Sequence, residues 1–139
     1  MPPLTRWFLK AALVYLVAAL STGVALAAGG TGGLAPLVGS LAPVYVHLFM
    51  VGWVTQLIFG VSLWMFPRYS RESPRGSEGL GWATLVALNL GLVLRAVAEP
   101  AHALGPRTLT GWALVLSAFL QWSAGLLYVA SIWPRVKER

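Results

Sequence analysis

The 139-residue chain has no cysteine, two histidines and only four carboxylate side chains, all of them glutamates. The lack of cysteine excludes disulfide bonds, thiolate metal sites and covalently attached c-type haem. Charged residues make up 10% of the chain and hydrophobic residues 58%. Because a soluble domain carries about 25% charged residues, this composition indicates a membrane protein.

Four long apolar stretches predict four transmembrane helices, since each is close to the ~20 residues that cross the hydrocarbon as a helix. The segments between them, GGTGGLAP, PRYSRESPRGSEG and EPAHALGPR, are rich in residues that end helices. No alternating strands are present, which argues against a β-barrel. We expect one all-α membrane domain over 1–139, with spans at about 7–28, 42–66, 80–98 and 109–133.

The basic residues predict the orientation of the spans. Only Arg95 and Arg107 fall toward one side, and the other lysines and arginines fall on the opposite side. Both termini are therefore expected to be cytoplasmic, in a multi-pass protein of the cytoplasmic (inner) membrane. The net charge of +6 is a topology signal on this interpretation, and no nucleic-acid partner is expected. The basic side comprises Arg6, Lys10, Arg68, Arg71, Arg75, Arg135, Lys137 and Arg139.

The first span has an alternative interpretation as a secretory signal. Arg6 and Lys10 precede an apolar run, and Ala25 and Ala27 match a small-residue cleavage site. We favour a retained transmembrane helix.

The second span contains one histidine, His47. At 3.6 residues per turn, His47 shares a helix face with apolar residues, whereas Gly52, Gln56 and Gly60 occupy the opposite face. Small residues allow helices to approach closely, and Gln56 can hydrogen-bond across the interface. His47 either bonds a neighbouring helix or loop, or serves as a ligand to haem or a metal ion. One histidine does not decide between these.

Further ionisable residues gather at the outer end of the third span, and they have two interpretations. Arg95 and Glu99 are four residues apart on one helix face, and His102 and Arg107 follow in a short outer loop. They form an interfacial ion pair with snorkelling arginines, or Arg95 and Arg107 bind carboxylates such as haem propionates.

The membrane interior carries only neutral polar residues, such as Gln56, Asn89 and Gln121. A proton pump or ion-coupled transporter would show a buried carboxylate there, and a hydrolase would need a nucleophile with its base. Neither class is favoured.

Two segments resemble the catalytic subunit of the haem-copper oxidase and nitric oxide reductase superfamily. VHLFMVGWVTQLIFGVSLWMFPR, residues 46–68, is similar to its second helix, and LNLGLVLRAVAEP, residues 88–100, is similar to the helix that follows. The resemblance covers roughly helices two and three. It implies that His47 matches the haem-ligand histidine.

The resemblance also implies an architecture. Those subunits have twelve spans in three four-helix arcs, and this chain is one arc long. A homotrimer of four-span protomers would reproduce the twelve helices and bring three copies of His47 to equivalent heights.

The chain departs from the family in lacking HxxxY and paired HH motifs, so oxygen or nitric oxide reductase activity is not supported. The resemblance still implies that haem b is bound. Its ligands would be His47 of one protomer and a second His47 or His102 of another, and Arg95 and Arg107 would lie at the propionates. Alternatively, three His47 imidazoles bind one copper or zinc ion. The expected function is a haem- or metal-binding protein in electron transfer or sensing, with a respiratory electron-transfer protein as a partner; the alternative is a cofactor-free structural or assembly protein.

Overall fold

The computed structural model describes residues 1–29, 35–66 and 78–136. Helices dominate these residues, and no β-strand occurs among them. The elements in chain order are α1 (Pro3–Ala28), α2 (Ala35–Gly39), α3 (Ala42–His47), a π-helical segment (Leu48–Thr55), α4 (Gln56–Met65), α5 (Glu78–Leu104), α6 (Thr108–Ile132) and a 3-10 turn (Trp133–Arg135).

Four helical stretches are long and apolar enough to cross a membrane. The prediction of an all-α, multi-pass membrane protein is therefore confirmed. Each stretch is longer than the predicted span, and the second begins at Ala35 instead of Ala42. They comprise Pro3–Ala28, Ala35–Met65, Glu78–Leu104 and Thr108–Arg135.

Several of the basic residues that predict orientation lie outside the described residues. Cytoplasmic termini consequently stay a prediction. These residues are Arg68, Arg71, Arg75, Lys137 and Arg139.

The second span is not one regular α-helix. After α3 ends at His47, eight residues from Leu48 to Thr55 are π-helical. The Thr55 hydroxyl donates a 2.8 Å hydrogen bond to the carbonyl oxygen of Met50, five residues earlier. A π-helix has more residues per turn than an α-helix, so a wheel drawn at 3.6 residues per turn loses its register across this segment.

The first and second spans pack closely where the predicted small residues lie. A Cβ atom added at Gly52 would lie 2.8 Å from Cβ of Tyr15, and one at Gly60 would lie 2.8 Å from Cβ of Phe8. Gly52 and Gly60 are buried. The predicted packing face of the second span is therefore confirmed, although Gly52 lies in the π-helical segment and Gly60 in α4.

The third and fourth spans pack against each other at a third glycine, Gly91. A Cβ atom added at Gly91 would lie 2.9 Å from Cγ of Gln121. The buried Ser117 hydroxyl donates a 2.8 Å hydrogen bond to the Gly91 carbonyl oxygen. Leu88, Leu92 and Ala124 form a buried cluster beside this contact. The absence of a side chain at Gly91 thus lets a hydroxyl of α6 reach the backbone of α5.

Arg135 joins the end of the fourth span to the end of the second span by hydrogen bonds. Its side chain is buried, and Nη2 donates hydrogen bonds of 3.1 Å to the Leu63 carbonyl and 2.8 Å to the Phe66 carbonyl. The last carbonyls of a helix have no intrahelical donor, so the guanidinium completes the end of α4.

Candidate functional site

His47 lies at the junction between α3 and the π-helical segment. Its Nδ1 atom is 2.9 Å from the carbonyl oxygen of Pro43, one helical turn earlier. A carbonyl oxygen only accepts hydrogen bonds, so Nδ1 carries a proton and donates it. In the neutral ring the lone pair then belongs to Nε2. This is the arrangement in which ligand histidines are usually held, with one nitrogen fixed by a backbone carbonyl and the other left to bind.

Arg95 and Glu99 form the predicted ion pair on α5, which is confirmed. Nε of Arg95 donates a 2.9 Å hydrogen bond to Oε1 of Glu99, and the side chains are only 21% and 11% exposed. The second carboxylate oxygen, Oε2, is buried and has no hydrogen-bond partner among the described residues. Glu99 is therefore mostly shielded from solvent and only partly satisfied by hydrogen bonds.

The same carboxylate faces His47 from the neighbouring span. Oε1 of Glu99 lies 3.7 Å from Nδ1 of His47, whose side chain is 28% exposed. This separation is too long for a hydrogen bond, but it places the carboxylate beside the imidazole. His47, Arg95 and Glu99 hence form one cluster, which we call the outer cluster.

His102 lies in the last turn of α5, whereas the sequence predicts it in a loop. The helix continues through Pro100, because a proline removes one backbone hydrogen bond without preventing the next turn here. His102 Nδ1 is 2.8 Å from the hydroxyl oxygen of Thr110. His102 therefore fixes the turn between α5 and α6.

Arg107 is the residue that precedes α6. Its backbone N–H donates a 3.2 Å hydrogen bond to the Thr110 hydroxyl, which in turn donates a 2.9 Å bond to the Arg107 carbonyl. Because the Thr110 hydroxyl donates its proton to the Arg107 carbonyl, it can only accept a hydrogen bond from Nδ1 of His102. In the neutral His102 ring the lone pair is therefore on Nε2, as it is in His47. Arg107, Thr110 and His102 form a second group, which we call the turn cluster.

The structure thus divides the four candidate residues between two clusters. His47 and Arg95 belong to the outer cluster, and His102 and Arg107 belong to the turn cluster. Among the residues in the three described ranges, no group of three or more histidine, cysteine or acidic side chains could hold a metal ion.

Sequence reasoning did not identify Pro43 or Thr110 as partners of the histidines. The Pro43 contact follows the four-residue spacing that brings side chains near a preceding carbonyl, so this signal was available. The Thr110 contact depends on the geometry of the α5–α6 turn, which the sequence does not specify. The proximity of Glu99 to His47 also depends on how the two spans dock.

Deeper in the bundle, the neutral polar residues bond one another. Gln56 is fully buried and exchanges two hydrogen bonds with Asn89, of 3.4 Å and 3.2 Å. Asn89 also donates to the Leu85 carbonyl at 2.7 Å. This pair joins the second and third spans, which confirms the prediction that Gln56 bonds across a helix interface.

The two clusters offer imidazole nitrogens as ligands and guanidinium groups as carboxylate partners. Imidazole Nε2 suits haem iron, copper and zinc, and the apolar side chains beside His47 suit a flat tetrapyrrole. Val46 and Met50, which flank His47, are each 52% exposed, so this surface is open to a ligand or to another copy. Comparison with protein-family models, curated proteins and solved structures finds no match to this chain.

Proposed function

We propose that this chain is a membrane haem- or metal-binding protein with a role in electron transfer or sensing. One observation carries the proposal: His47 is held through Nδ1 by the Pro43 carbonyl, at 2.9 Å, so that Nε2 is the ligand nitrogen. A π-helical segment begins at the next residue, and such segments are frequent at functional sites.

The proposed site lies between copies of the chain, in a homotrimer like three arcs of a haem-copper oxidase core. The half-exposed Val46 and Met50 make His47 part of an outer surface of the protomer. For haem b, His47 of one protomer would pair with a second His47 or with His102 of a neighbour. When bound, haem b supplies a one-electron couple. For copper or zinc, three His47 side chains would supply three nitrogens and leave one position open.

The two arginines have different roles toward the haem propionates in this proposal. Arg107 is exposed, and its position before α6 leaves its guanidinium available for a carboxylate. Arg95 is already paired with Glu99 through Nε, so it would bind a propionate with its remaining guanidinium N–H groups. We therefore assign Arg107 the stronger propionate contact.

A cofactor-free structural or assembly protein is the second candidate function. It is favoured by the fact that both histidines already have hydrogen-bond partners within the chain, Pro43 and Thr110. In that case the hydrogen bonds of His47 and His102 only stabilise the second span and the α5–α6 turn.

The test is an absorption spectrum of detergent-purified protein expressed with added haem, recorded oxidised and after dithionite reduction, together with metal analysis. We expect a Soret band and a reduced α-band that His47→Ala removes. His102→Ala distinguishes the two haem arrangements, since it should remove the bands of a His47–His102 pair and leave those of a His47 pair unchanged. A colourless protein with stoichiometric copper or zinc selects the three-histidine site. A protein that binds neither refutes the proposal in favour of the structural role.

A further inference from the structure

Two cations lie together at the amino-terminal end of α1, far from the outer cluster along the chain. Arg6 and Lys10 are one helical turn apart and exposed. With Pro3 and Trp7 they line a surface pocket of about 240 Å³. Nζ of Lys10 lies 5.8 Å from the centroid of the Trp7 ring. The pocket therefore has two positive groups on its rim and an indole in its wall.

Neither cation has an acidic partner among residues 1–29, 35–66 and 78–136. Guanidinium and ammonium groups without an acidic partner favour an anion, and phosphate oxygens accept several N–H hydrogen bonds at once. The charge of the pocket thus indicates an anionic ligand.

The position of the pocket along the membrane normal matches the level of the lipid headgroups. The part of α1 that follows Lys10, residues 11–28, is about 27 Å long at 1.5 Å per residue. The hydrocarbon core of a bilayer is about 30 Å thick. When these residues cross the core, Arg6 and Lys10 lie at its edge, where the phosphates of one leaflet are found.

The surface of α1 continues from the pocket as an apolar stripe. Leu13, Val14 and Val17 are 55%, 66% and 65% exposed. They follow Lys10 at spacings of three, four and seven residues, and Arg6 at seven, eight and eleven, which place them on the same helix face. A soluble anion would make no use of this stripe, whereas an acyl chain would lie along it.

We propose that the pocket formed by Pro3, Arg6, Trp7 and Lys10 binds the phosphate of an anionic phospholipid, whose acyl chain lies against Leu13, Val14 and Val17. The two cations bind the phosphate oxygens, and the Trp7 ring packs against the glycerol region. The proposal does not depend on any cofactor at His47.

The test is native mass spectrometry of the full chain in detergent, titrated with phosphatidylglycerol and with phosphatidylcholine of the same acyl chains. We expect phosphatidylglycerol to bind at least fivefold more tightly. Arg6→Gln and Lys10→Gln should each lower its affinity about fivefold, the effect of one cation near an anionic lipid surface. Phosphatidylcholine binding should change little.

Arg107→Gln is the matched control, because it makes the same change of charge at an exposed arginine elsewhere, and Arg6→Lys keeps the charge at the site. Both should retain the preference for phosphatidylglycerol. Equal binding of the two lipids, an equal loss in Arg107→Gln, or a loss in Arg6→Lys as large as in Arg6→Gln would overturn the proposal. Displacement of the lipid by millimolar inorganic phosphate would also overturn it, in favour of a free-phosphate site.

Discussion

Oε1 of Glu99 lies 3.7 Å from Nδ1 of His47, and it is the same oxygen that accepts the hydrogen bond from Arg95. The carboxylate therefore places a negative charge beside the imidazole, while the guanidinium partly balances that charge. Since Glu99 belongs to α5 and His47 to the second span, this contact also joins the two spans near one end of the bundle. Any ligand bound at His47 would experience the field of Glu99.

Glu99→Gln tests this field directly. If haem binds at His47, removing the negative charge disfavours the oxidised iron, so the midpoint potential should rise by tens of millivolts. A tenfold change in the equilibrium constant corresponds to about 59 mV for one electron. Spectroelectrochemical titration measures the shift. Arg95→Gln is the control with opposite sign, because it leaves Glu99 unbalanced and should lower the potential. An equal potential in all three proteins would contradict electrostatic coupling between Glu99 and the haem.

The Gln56–Asn89 pair predicts coupling between the second and third spans. Gln56→Leu leaves the side-chain oxygen of Asn89 without its donor, and Asn89→Leu leaves Gln56 unpaired in a fully buried position. The double variant should be more stable than the sum of the single losses predicts, by about 0.6 to 1.7 kcal/mol, the range for hydrogen bonds between membrane helices. Unfolding in detergent measures the four stabilities. Simple additivity would contradict a hydrogen bond between the two amides.

Composition and apolar run lengths were sufficient to predict the four spans, and spacing was sufficient for the Arg95–Glu99 pair. The π-helical segment was not predictable from the apolar pattern, because nearly every residue from Leu48 to Val54 is apolar and carries no periodicity. The sequence does not predict the extension of α5 through Pro100, because proline usually ends a helix. The approach of Glu99 to His47 depends on how two spans dock, and single-chain spacing contains no information on that distance.

Tyr128 makes two contacts with the second span that substitution can separate. Its ring stacks on Phe59, with centroids 3.6 Å apart and planes inclined by 5°, and its hydroxyl lies 2.8 Å from the Ser62 hydroxyl. Tyr128→Phe keeps the ring and should cost about 0.5–1.5 kcal/mol of unfolding free energy for the lost hydrogen bond. Tyr128→Leu should cost about 0.5–1.5 kcal/mol more, the contribution of an aromatic pair. Ser62→Ala removes the same bond and also the 3.0 Å bond from the Ser62 hydroxyl to the Phe59 carbonyl, so it should cost at least as much as Tyr128→Phe. A smaller loss in Ser62→Ala than in Tyr128→Phe would argue against the shared bond.

Alanine substitution should have opposite effects on stability at Gly52 and at Gly125. Alanine at Gly52 would place its Cβ atom 2.7 Å from Cγ of Tyr15, whereas alanine at Gly125 would meet nothing within 4 Å. Overpacking costs about 1–3 kcal/mol, and replacing glycine by alanine in a helix gains about 1 kcal/mol. Gly52→Ala should therefore lower the melting temperature in detergent, and Gly125→Ala should leave it unchanged or raise it. A stabilised Gly52→Ala would mean that the first and second spans are less closely packed than the Tyr15 contact indicates.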